Sequence, residues 1–207
     1  MLRQETAPLT PASYAPYRAW LLGLLTWGLL VTLLARSGLL AALPTQLLPL
    51  PIALAISGLL AAYAFLPGTR HLAQQLDMRW LTLFNVWRVP AALLFFWYGA
   101  QGLLPATFVH NAGWGDLIAG LAAIPVVFWL MPRPRWRRPS LLAFHLFSFA
   151  DFVVAVGTGF SFSLLGNPLM GELKSFPLAL IPLFGVPLTG ALSVIALHRL
   201  ATGRDGS

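Results

Sequence analysis

The sequence predicts an all-α, polytopic integral membrane protein, a bundle of six transmembrane helices, and three observations lead there. Of the 207 residues, 58% are hydrophobic and only 9% charged, whereas a soluble domain carries about 25% charged residues. Six separate apolar runs reach the roughly 17–25 residues that take a helix across the hydrocarbon core. The basic residues gather in short segments between those runs. A chain so poor in charge cannot cover its own surface in water. In lipid only closed backbone hydrogen bonding survives, and the runs are too long for barrel strands, so each must be a helix.

The elements follow in order. Residues 1–18, "MLRQETAPLTPASYAPYR", contain Glu5 and three prolines and precede a run without a small-residue cleavage site, which argues for a short tail over a cleaved signal peptide. Windows of apolar content then place spans at Ala19–Ala35, Leu47–Leu66, Leu81–Leu104, Trp114–Met131, Ser140–Leu165 and Pro177–Leu200. Residues 19–200 read as one domain, because the longest connection, from Pro67 to Trp80, is too short to hold another. Residues 201–207 form a second tail.

Six crossings put both termini on one side, and the arginines say which. Arg3, Arg18, Arg70, Arg79, Arg133, Arg135, Arg137, Arg138, Arg199 and Arg204 share one face, leaving Arg36 and Lys174 on the other. By the positive-inside rule the first face, with both termini, is cytoplasmic, so an inner-membrane location is expected. The cluster "PRPRWRRPS" reads as a topology anchor, although several arginines beside a bilayer can also attract acidic head groups. Trp20, Trp80, Trp114, Trp129 and Trp136 sit near predicted span ends, where indole rings prefer the head-group level.

Composition also excludes functions. The formal charge of +7 is spread as topology signals and not clustered as a phosphate-binding footprint, which argues against nucleic acid. The chain has no cysteine, which removes disulfides, thiolate catalysis and Cys-ligated metals. Phosphate-cradling, zincin and serine-hydrolase motifs are absent from the sequence. An enzyme is therefore less favoured than a binding or transport protein.

The leading functional feature is Arg88, a permanent charge inside the third span. An intramembrane charge costs roughly 2.5–3.5 kcal/mol on insertion scales, so it normally faces the bundle interior and has a partner. At 1.5 Å per residue, Arg88 lies about 10 Å and Asp151 about 16 Å from the same face, a gap the arginine can bridge. Asn85 stands one turn from Arg88 and Ser148 one turn from Asp151, so a polar cluster is expected. Pro90 should add the bare carbonyl of Val86 beside the guanidinium.

Two further groups are candidates. In "VHNAGWGD" Asn111 can cap and Asp116 falls in the first turn of the fourth span, or else His110 and Asp116 form an outward-facing proton or ligand site. His145 and His198 share a level near the cytoplasmic face, the only placement that would suit a bis-histidine haem b. Four-residue stripes at Gly115, Ala119 and Ala123 and at Gly185, Thr189 and Ser193 let backbones pack closely. Pro177, Pro182 and Pro187 punctuate the sixth span in the manner of broken transporter helices.

The expectation is a multi-pass membrane protein that binds or passes a small solute or proton through a polar site in the bundle. The rivals are a haem-b redox protein and a non-catalytic structural subunit of a membrane complex. The lipid bilayer is the one partner the sequence names.

Overall fold

The structure, a computed structural model, describes residues 15–203, and every regular element among them is helical. The rest of the N-terminal tail, with Arg3 and Glu5, and the end of the chain, with Arg204 and Gly206, lie outside the described residues. We label α1 Ala15–Arg36, α2 Thr45–Phe65, α3 Pro67–Gln75, α4 Met78–Ala100, α5 Ala106–Leu130, α6 Pro134–Leu164 and α7 Ile181–Ala201. All but the short α3 are long and apolar enough to cross a membrane, which makes six.

The positions of these helices follow from hydropathy, while their ends follow from proline. Pro134 takes the first turn of α6, where its missing N–H costs nothing, so Arg135, Arg137 and Arg138 are helical and do not form the loop the sequence suggested. With 31 residues, α6 is about 46 Å long against a hydrocarbon core of about 30 Å, and its basic first turns can extend beyond the apolar layer. At the other end of the chain Pro177 stands outside α7, which begins only at Ile181. Two of the three expected prolines are therefore in the helix.

Within α4, α5 and α7, four turns depart from α geometry. A 3-10 turn at Phe84–Trp87 precedes Pro90 in α4, where the proline ring crowds the carbonyl four residues back. Wider π turns occur at Val109–Gly113 and Val126–Leu130 in α5, the second directly after Pro125, and at Ile181–Gly185 in α7, which includes Pro182. Such turns are local departures that often accompany function.

Helix α7 is the centre of the bundle, with 61% of its span buried, against α2, α4 and α6. By contrast only 11% of α1's span is buried, so α1 leans on the bundle's edge. Several basic side chains tie the ends together. Arg199, almost fully buried, donates to the carbonyls of Ala73 (3.0 Å) and Leu76 (2.5 Å) at the end of α3. Arg70 donates to the Tyr63 and Ala64 carbonyls at the end of α2. On the other face, Lys174 holds the carbonyls of Ala41 (3.2 Å) and Leu43 (2.5 Å) in the connection after α1. A cation at a helix C-terminus answers carbonyls that have no partner within the helix.

Candidate functional site

Helices α4 and α6 run parallel and face each other through three polar rungs. Thr82 meets His145 at 3.2 Å, Asn85 meets Ser148 at 2.8 Å, and Arg88 meets Asp151. Each rung joins residues 63 apart in sequence. A three-residue repeat would drift around an α-helix, but the 3-10 turn at Phe84–Trp87 has three residues per turn and helps keep 82, 85 and 88 on one face. The proline that tightens this turn therefore also aligns the ladder.

The hydrogen bonds have a direction. Asn85 donates its amide to the carbonyls of Leu81 (3.3 Å) and Thr82 (3.2 Å), which leaves its oxygen to accept from the Ser148 hydroxyl. Ser148, having donated, accepts from Arg88 at 2.8 Å. The Arg88 Nε donates to Oδ1 of Asp116 at 2.7 Å, and the remaining guanidinium nitrogen to Oδ2 of Asp151. One arginine thus bridges two carboxylates from two helices, α5 and α6. The Val86 carbonyl, expected beside the guanidinium, accepts from the Arg88 backbone N–H instead, while the side chain's bonds go to Asp116, Ser148 and Asp151.

Asp116 is the partner the sequence did not pair with Arg88. The fourth span was expected to start at Trp114, with Asp116 in its first turn, yet α5 starts at Ala106. Ten residues at 1.5 Å put Asp116 about 15 Å along the helix, well away from its mouth. Asn111 consequently caps nothing and donates instead to Thr158 at 3.2 Å. His110 is exposed while Asp116 is buried, so the two do not form an outward-facing pair.

Close helix contacts make the cluster possible. A Cβ on Gly115 would overlap the Asp151 carboxylate, and one on Gly120 would meet Val89 at 2.6 Å. The bare backbones let α5 approach α6 and α4. On α7, a Cβ at Gly185 would overlap the Trp87 ring. Trp87 then donates its indole N–H to Thr189 at 3.0 Å, and Thr189 donates onward to the Gly185 carbonyl at 2.9 Å. Neither Trp87 nor Thr82 stood out in the sequence; the signal for Thr82 was its place three residues before Asn85.

Arg88 and Asp116 are largely shielded from solvent, at 2% and 8% exposed, and Asp151 is half-buried. One side nevertheless opens into a cavity of about 60 Å³. At about 15 Å³ per site, that is room for about four waters. Arg88, Asp116, Trp87 and Thr189 lie on its wall among mostly apolar residues. Ala112 from one π turn and Ile181 and Pro182 from another line it too, so the irregular turns of α5 and α7 converge on the same space.

The two histidines expected at one level make separate contacts. Thr82 donates its hydroxyl to the Met78 carbonyl at 2.8 Å, so toward His145 its oxygen is the acceptor and Nε2 carries the proton. His145 is buried against α4, and its Nδ1 has no hydrogen-bond partner among the described residues. His198 is exposed and turns its Nδ1 to the Tyr63 hydroxyl on α2 at 2.8 Å. The two rings thus make their hydrogen bonds to different helices, His145 to α4 and His198 to α2. No group of three or more His, Asp or Glu suited to a metal ion occurs among the described residues.

No curated protein and no solved structure matches the chain. A family model described as a domain of unknown function, DUF8737, matches residues 45–201. The match opens on the first residue of α2 and closes on the last of α7, leaving out the loosely packed α1 and taking in every residue of the ladder and the cavity. Covering about three quarters of the sequence, it shows that the chain belongs to the DUF8737 family.

Proposed function

We propose that this is a multi-pass inner-membrane protein, with both termini in the cytoplasm, that binds or passes a proton or a small solute at the site formed by Arg88, Asp116 and Asp151. The ten-to-two division of basic residues supports the orientation. One observation carries the function: two buried carboxylates share a single guanidinium beside a cavity. A helix clamp needs one counter-ion. The second carboxylate leaves the site with an excess negative charge when all three groups are ionised, and in a membrane interior that charge calls for a proton or a cation. The ladder and the cavity wall give the cluster both a fixed geometry and a space to serve.

The three rungs between α4 and α6 favour a second reading, in which the cluster is packing glue within a larger complex. Infrared difference spectroscopy of the purified protein separates the two. Near neutral pH, the wild type should show the carbonyl band of a protonated carboxylic acid, and Asp116→Asn combined with Asp151→Asn should remove it. A wild type in which neither aspartate takes a proton, with or without added cations, would leave only the glue. Flux in proteoliposomes then tells passing from binding.

A further inference from the structure

We infer that the cavity beside Asp116 takes a small protonated amine, of about methylammonium size, with the free carboxylate oxygen of Asp116 as its counter-ion. The inference rests on the reading above and names its ligand class. Oδ1 of Asp116 is taken by Arg88, whereas Oδ2 has no hydrogen-bond partner among the described residues, although Asp116 is more than nine-tenths buried and lines the cavity. Asp116 is the one carboxylate on that wall. An anion is disfavoured there, because all three guanidinium nitrogens of Arg88 already donate to protein acceptors.

The rest of the wall chooses among cations. Trp87, Phe95, Phe108, Phe152 and Phe160 line the same space. Aromatic rings attract an organic ammonium group, while offering nothing to a metal ion that needs about six oxygen ligands. Size narrows the class further. A cavity of about 150 Å³ accommodates benzene, whereas this one has about 60 Å³. An alkylammonium ion of two or three heavy atoms fits where an aromatic amine does not. With such a guest, one arginine, one ammonium and two carboxylates sum to zero charge. Binding would therefore expel the proton that otherwise neutralises the site, from the carboxyl group to water.

The test uses the full chain in lipid nanodiscs with methylammonium chloride, and tetraethylammonium chloride as the oversized control. Methylammonium should bind saturably, release protons, and remove the carboxylic-acid infrared band, while tetraethylammonium does none of these. Asp116→Asn should weaken methylammonium binding by about tenfold or more. Ala155→Leu, which adds three carbons to the cavity wall, should abolish binding yet keep the acid band; it carries the test if Asp116→Asn does not fold. Methylammonium binding that survives both substitutions overturns the inference. Absence of saturable binding in a wild type that retains its acid band also overturns it, and leaves the proton reading standing. Loss of both band and binding removes the two together.

Discussion

Removing Arg88 should harm the fold more than removing either of its carboxylate partners. Taken as a simple pair with Asp151, the opposite would hold, because Asp151→Leu would strand a guanidinium that cannot neutralise itself. The structure adds Asp116, whose Oδ1 stays 2.7 Å from Arg88 Nε when Asp151 is gone. At a separation of about 4 Å and an effective dielectric constant of about 20, each carboxylate attracts the guanidinium by about 4 kcal/mol. Asp151→Leu loses one such contact and also the surplus negative charge, so its net cost should stay near that of one charged hydrogen bond, about 1.5–3 kcal/mol. Arg88→Leu strands two buried carboxylates and takes a donor from Ser148. Protonation of the carboxylates limits the damage to about 3–5 kcal/mol. The triple variant Arg88→Leu, Asp116→Leu, Asp151→Leu removes all three desolvation costs and should recover most of that loss. Reversible unfolding in mixed detergent micelles measures each variant. If Asp151→Leu is as damaging as Arg88→Leu, or if the three losses simply add, the shared-arginine account is wrong.

Two further outcomes are expected. Gly115→Ala should cost about 1–3 kcal/mol because its methyl group overlaps the Asp151 carboxylate, and the cost should shrink in an Asp151→Ala background; equal costs in both would show that Gly115 serves some other contact. Reporter fusions within Arg133–Arg138 and after Gly206 should read cytoplasmic and those within Gly166–Ser175 external, whereas opposite locations for the first two would mean an odd number of crossings.

What the sequence determined by itself was whatever depends on a residue and its near neighbours along the chain. Hydropathy located six helices, since burial of backbone in lipid is decided segment by segment. Rise per residue placed Arg88 and Asp151 within reach of each other, and the i and i+3 neighbours Asn85 and Ser148 came with them. Local pattern was misleading where a helix began differently. Asn111 suggested a cap near Trp114, but α5 continues through it from Ala106 by way of a π turn, and that shift carried Asp116 from a helix mouth into the core.

Only the tertiary structure decided which side chains meet. Depth along a helix follows from sequence position, whereas the direction a residue faces depends on how each helix is rotated about its axis and how closely it can approach its neighbours. His145 and His198 share a level yet bond to α4 and α2, because helix rotation turns them apart. Conversely, Gly115 and Gly120 bring α5 close enough for Asp116 and Asp151 to reach the same arginine. The cavity beside Asp116 belongs to no single stretch of chain, because its wall is assembled from helices far apart in sequence and from turns whose departures from α geometry coincide only after packing.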